Sequence, residues 1–167
     1  MNRTLAVLVV VLSLAACQPQ ADPRVAAIAD RMAIDQLVAG DYPRALDAHD
    51  WDAYAATYTD DGVLSLAGQE AKGRAGIKTF LAALPPDHIN HVISNLSYKI
   101  SGDAATGGAY WEDIGLVDGK PGVVVAGHYE DTLRKIGGEW KFAKRSIVID
   151  FAASAAAAAP VSGAASQ

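Results

Sequence analysis

The chain has 167 residues, 51% of them hydrophobic, and 14 basic against 19 acidic side chains give a formal charge of −5. That is one domain's worth of sequence, ample for a single buried core. A mildly acidic balance without basic runs excludes nucleic acid as a partner, and a single cysteine excludes an internal disulfide.

The first element is a leader. Asn2 and Arg3 give a short polar start, and Leu5 to Leu14 is almost continuously apolar. The run is far shorter than the roughly 20 residues a spanning helix needs. Leu14-Ala15-Ala16-Cys17 reads as a lipobox, so residues 1–16 form a signal peptide and Cys17 becomes the acylated first residue of the mature chain. An ordinary secretory signal with a chance cysteine is the alternative. Removal of Arg3 takes the formal charge from −5 to −6. Gln18, not Asp, follows the cysteine, and by resemblance to bacterial lipoproteins this directs the chain to the outer membrane, facing the periplasm. Residues 17–24 are a tether, and no basic amphipathic stretch is present, so membrane contact is expected through the lipid.

Ile34, Leu37, Val38, Tyr42 and Ala45/Leu46 recur at helical spacing and predict a first helix from Pro23 to Ala48. Pro43 removes a backbone donor within it and predicts a kink or restart, with Asp41 as the new N-cap. A second short helix capped by Asp50 carries Trp51, Tyr54 and Tyr58 on one stripe, and Asp60-Asp61-Gly62 ends it. Val63 to Leu66 is a short strand. Gly73 to Leu84 is a third helix, stopped by Pro85-Pro86. Four strands follow, His88 to Ile100, Ala104 to Val117, Val123 to Ile136 and Trp140 to Phe151, with hairpin-grade connections. They predict an antiparallel meander covered by the helices, an α+β domain over residues 25–151 with a pocket between the layers. Residues 152–167 are nearly all Ala, Ser, Gly and Pro, and predict a disordered tail.

Several chemistries lack their usual signatures. There is no Gly-x-Ser-x-Gly elbow, phosphate loop or dinucleotide fingerprint, and no cofactor is expected. His88-x-x-His91 looks like a metal pair, but on a strand the two rings diverge, so no metal site is expected. Acid–base chemistry remains. Asp47, at the end of the first helix, and His91, on a strand, are placed to form a proton-transfer dyad. Tyr42, Tyr54 or Tyr58 would supply a hydroxyl for a developing oxyanion.

Bland readings stay open beside this one: Asp47 capping Ala48-His49-Asp50, His91 as a core histidine, and the aromatic stripe as packing. His91, Ile93 and Asn95 share a strand face, as do Trp111 with Asp113 and Tyr129 with Asp131. Parity does not say which face is concave. The expected pocket lining is Trp51, Tyr54, Tyr58, Asn95, Trp111 and Tyr129. Arg145 is an expected partner of Asp131, Asp150 or Glu130, and His49 a solvated residue.

Tyr42-x4-Asp47, Asp50-Trp51, Tyr58-Thr-Asp-Asp61, His91-x-x-x-Asn95, Gly127-x-Tyr129-x-Asp131 and Trp140-x-Phe142-x-x-Arg145 follow one another in order. Together they resemble the SnoaL-like branch of the NTF2-like superfamily over Arg31 to Asp150. The resemblance implies a cone of three helices wrapped by a curved mixed sheet, often dimeric through the sheet. Its members include polyketide cyclases, scytalone and bile-acid dehydratases, and dioxygenase small subunits. Carried over, the dehydratases' Tyr-x4-Asp matches Tyr42 and Asp47, and their strand histidine matches His91. Leu66 departs from the pattern, standing where those dehydratases often carry a catalytic tyrosine, and Pro43 is a second departure.

Two functions follow as expectations. One is a cofactor-independent lyase or isomerase acting on a small hydrophobic carbonyl compound, with His91 as base and Asp47 orienting it. The other is a lipoprotein that binds a small ligand or a partner protein without chemistry.

Overall fold

The computed structural model describes residues 22–84 and 89–153. The expected signal peptide, Cys17, Pro85-Pro86, His88 and the expected tail beyond Ala153 lie outside the described residues.

Helix α1 (Pro23–Gln36) starts where the sequence predicts, with Pro23 in its first turn. Asp22 caps it, accepting the Arg24 backbone N–H at 2.8 Å. The expected restart at Asp41 does not occur. The helix instead widens through a π-helical segment, Leu37–Asp41, and runs into α2 (Tyr42–Asp47) without a break. Pro43 has no N–H to give, and its ring crowds the carbonyl four residues back. The wide turn absorbs both problems, with the Tyr42 N–H reaching back to the Leu37 carbonyl. Asp41 caps nothing and accepts a bond from Gln36 Nε2 at 2.8 Å.

Helix α3 (Trp51–Ala56) has Asp50 as its cap, as expected, with the Ala53 N–H at 2.9 Å. It is shorter than the aromatic stripe suggested. Tyr58 opens strand β1 (Tyr58–Leu66), and Asp60-Asp61-Gly62 lies within that strand, not at a helix end. A strand that the sequence reading did not anticipate, β2 (Gln69–Lys72), pairs back on β1 through a turn with positive φ at Ala67 and Gly68. Helix α4 (Gly73–Ala82) follows.

The long strands are β3 (Asn90–Ser101), β4 (Ala104–Val117), β5 (Lys120–Ile136) and β6 (Glu139–Ala152). They form the expected antiparallel meander inside a six-stranded sheet of order β2-β1-β6-β5-β4-β3, with only β1 and β6 parallel. The helices cover one face of it, so the α+β class holds. The sheet curls where neighbouring backbones close in. A Cβ on Gly108 would stand 1.9 Å from the Tyr129 carbonyl oxygen, and one on Gly127 would stand 1.9 Å from that of Val148. Glycine alone fits these crossings.

Between helices and sheet lies a filled interior. Tyr42, Tyr54, Tyr58 and Phe142 are fully buried with Ile34, Val38, Leu64, Ile77 and Leu133. At its centre stands Arg145, whose guanidinium lies 3.8 to 4.1 Å from the ring centroids of Tyr129, Phe142 and Tyr42. Asp131, directly opposite on β5, receives it bidentately at 2.9 and 2.7 Å. Of the three partners the sequence allowed, the structure selects Asp131. Asp150 pairs with His128 instead, at 2.8 Å.

Candidate active site

Helix α2 ends at Asp47, and β3 starts at Asn90, so the carboxylate and the imidazole of the next strand residue meet across the layer boundary. Asp47 Oδ1 lies 2.6 Å from His91 Nδ1 and also accepts the His91 backbone N–H at 3.2 Å. A carboxylate bonded to Nδ1 favours the tautomer with the proton there and Nε2 without one. The reading of Asp47 as a cap for the following turn is therefore not needed: the Ala48 N–H goes to the Arg44 carbonyl and the His49 N–H to that of Leu46. Both side chains sit at the rim of the filled interior, Asp47 28% exposed and His91 10%.

A third group completes the cluster. Asp113 faces His91 directly across the β3–β4 ladder, with its Oδ1 3.2 Å from Nε2 and its side chain 8% exposed. The contact has ion-pair distance without hydrogen-bond alignment. The imidazole is thus flanked by carboxylates on both nitrogens. A positive charge forming on the ring is stabilised from both sides.

A bulge puts Asp113 there. The register that starts at Ser101–Ala104 would, continued without interruption, set His91 against Ile114. One extra residue between Ser94 and Ser97 shifts it. Asn95 takes a φ of 52° to accommodate the insertion. Asparagine tolerates that left-handed backbone better than most residues. This overturns the expectation that Asn95 shares a face with His91. After the bulge the inward residues are Leu96, Tyr98 and Ile100, and Asn95 is exposed, bordering an open concavity of about 470 Å³ with Ser97, Tyr110, His128 and Asp150. Asn in a predicted strand was the signal available for the bulge, and with it for Asp113.

The other expected residues are grouped elsewhere. The Tyr54 hydroxyl donates to the Tyr42 hydroxyl at 2.9 Å and lies 3.5 Å from that of Tyr58. Burial, then the Tyr42 and Tyr58 hydroxyls, push Tyr54 well above the ordinary phenol range; burial, then Tyr42, does the same to Tyr58, and burial to Tyr129. These phenols stay protonated and serve as hydrogen-bonding groups, not bases. Tyr129 stacks between Arg145 and Trp111, whose centroid is 5.9 Å away. Trp51 is half-buried, edge-on to His49 at 5.2 Å. Among the described residues, Trp111 Nε1 and Arg145 Nη1 are buried donors with no acceptor. The second concavity, about 290 Å³, is bordered by Thr59, Asp60, Arg74 and Glu139, and neither concavity is lined by Asp47, His91 or Asp113.

A model of the SnoaL-like domain matches residues 26–146. The chain belongs to the SnoaL-like family. Its fold is the cystatin-like, NTF2-like one. Rv3472, a protein of unknown function from Mycobacterium tuberculosis solved with one aspartate replaced by asparagine, superposes with a TM-score of 0.71 at 24% identity, covering 77% of this chain and 76% of that one. An NTF2-like protein from Novosphingobium aromaticivorans gives 0.69 at 26% identity, covering 80% and 90%. A protein from the same organism, provisionally termed a scytalone dehydratase, gives 0.67 at 24% identity, covering 77% and 89%. Among curated proteins, none matches the sequence.

Proposed function

We propose that this SnoaL-like protein moves a proton on a small hydrophobic carbonyl compound, as a dehydratase, isomerase or cyclase that needs no cofactor. The observation that carries this reading is the 2.6 Å contact between Asp47 Oδ1 and His91 Nδ1, with Asp113 beside Nε2. In the proposed step, His91 Nε2 takes a proton from the carbon next to the carbonyl, and the C–H electron pair becomes the enolate. Asp47 keeps the ring in the tautomer that has Nε2 free, and Asp113 stabilises the imidazolium. The imidazolium then returns the proton. Given to a β-hydroxyl, it releases water, and given to a different carbon, it completes an isomerisation.

Trp111 Nε1, a buried donor with no acceptor on the same strand face as Asp113, is the hydrogen-bond donor proposed for an enolate oxygen. A test of the reading is deuterium wash-in. The protein in D₂O with steroid, aromatic and polyketide carbonyl compounds is expected to exchange the α-hydrogen of one class, and His91→Gln is expected to stop it. Exchange that survives in His91→Gln refutes the assignment.

A second reading is favoured by the two surface concavities, neither of which is lined by Asp47, His91 or Asp113. On that reading the domain binds a small apolar ligand or a partner protein without turning anything over. Ligand-induced thermal stabilisation with no deuterium exchange would select it.

We further propose placement in the cell envelope, facing the periplasm from the outer membrane, through acylation of Cys17. No helix among the described residues is long and apolar enough to cross a membrane. A homodimer through the outer face of the sheet is supported by Val92, Tyr110, Ile114, Leu116 and Val123, all exposed there.

A further inference from the structure

We infer that the N-terminal half of α1 rests on the membrane to which the chain is anchored, with Val25, Ile28 and Met32 entering the lipid headgroup boundary. The inference rests on acylation of Cys17. It begins from a helix that half packs and half does not. From Asp30 onward α1 is fixed to the sheet: Asp30 accepts Lys135 Nζ at 2.6 Å and Trp140 Nε1 at 3.0 Å, and Arg31 donates to the Leu96 carbonyl at 2.9 Å. Residues 22–29 are exposed on every side.

Two free turns of helix are marginal in water, and they begin an apolar stripe that runs on to the exposed Met32. Val25, Ile28 and Met32 recur at helical spacing. They are 61%, 60% and 67% exposed. They form the kind of face that lies along a headgroup boundary. Arg24, exposed beside the stripe, can extend its charge toward phosphates.

The occupant follows from the chain outside the described residues. Only residues 18–22 separate Cys17 from Pro23, so even fully extended the tether spans about 20 Å. An acyl group on Cys17 therefore confines the start of α1 to the membrane surface. At that effective concentration a small apolar stripe suffices for contact. The contact also fixes how the domain is held: α1 becomes the foot, and the sheet end bearing Lys135 and Trp140 is set nearest the bilayer.

The experiment uses full-length protein, matured in a lipoprotein-processing bacterial host and reconstituted in phosphatidylethanolamine–phosphatidylglycerol vesicles. The chain has one cysteine, and acylation consumes it. Ile28→Cys and, as a control, Lys99→Cys thus each supply one thiol for an environment-sensitive fluorophore. Intact mass reports acylation of Cys17. The expected result is a blue-shifted label at position 28, quenched several-fold more strongly by headgroup-borne nitroxide lipids than the label at position 99. Equal quenching at the two positions on acylated protein overturns the membrane contact and leaves the anchor standing. A blue-shifted label at 28 that ignores the nitroxide and cross-links to a second copy also overturns it, assigning the stripe to self-association. An unmodified Cys17 overturns both readings together.

Discussion

Replacing Asp131 by leucine tests whether the centre of this domain is organised around one buried charge pair. Both side chains of the Arg145–Asp131 pair have zero exposure, and Tyr98 donates its hydroxyl to the same carboxylate at 2.5 Å. Burial alone would push Arg145 down, but Asp131 more than reverses this and holds it well above the ordinary guanidinium range.

Without Asp131 the guanidinium stays charged and buried. Breaking such a pair from one side costs about 3–5 kcal/mol. The three aromatic faces at 3.8 to 4.1 Å remain, and they place the loss toward the lower end. The stranded Tyr98 hydroxyl adds about 1 kcal/mol. The expected total is ~4 kcal/mol, read as a lower urea midpoint at unchanged slope.

Asp131→Leu combined with Arg145→Met removes both charges, and is expected to recover most of that stability, because well-packed apolar replacements of buried pairs are often neutral. A loss under about 1 kcal/mol for the single change, or a double variant no better than the single, refutes the reasoning.

Asn95→Val places a β-branched residue on a left-handed backbone, at a φ of 52°, where such side chains are strained. It is expected to disturb the bulge, separate Asp113 from His91 and lower turnover more than Asn95→Gly, which keeps the backbone. Asp113→Asn is expected to retain the fold and lose turnover through kcat, with circular dichroism as the control. Gly108→Ala is expected to destabilise strongly, since its Cβ would stand 1.9 Å from a carbonyl oxygen, and thermal denaturation reads the effect. Asp30 is held below the ordinary carboxylate range by its bonds from Lys135 and then Trp140. Its contribution is complete above the unfolded value near 4 and is lost as pH falls through the lower folded one. The stability gap between wild type and Asp30→Asn is therefore expected to close on acidification below about pH 4.

Much of this architecture was legible from local chemistry. Pro23 and Asp50 announce helix starts, and the turn-rich joints between apolar runs announce the meander. The Asp47–His91 meeting was open to a helix end and a strand, but parity left the concave face undecided, and only the fold brings the two together. Other features depend on non-local balance. Pro43 signalled a break, but the helix widens instead, and Tyr42 just after the wide turn packs against Arg145 from a strand far along the chain. Tyr58 fits a helical stripe by spacing, yet it pairs with Phe142 as the first residue of β1, where the sheet offers it more burial. Asp113 was placed on a face with Trp111, but its pairing with His91 was not read: parity counts assume an unbroken ladder, and a single inserted residue at Asn95 changes every partner beyond it.

The most direct test of the central claim is the solvent-hydrogen exchange of a bound carbonyl ligand, followed by NMR in D₂O for wild type, His91→Gln and Asp47→Asn. Wild type is expected to deuterate the α-position, slowed about 10²–10⁴-fold in His91→Gln, and clearly slowed in Asp47→Asn, with ligand affinity retained in both. Ligand binding with equal exchange in all three proteins would contradict that claim.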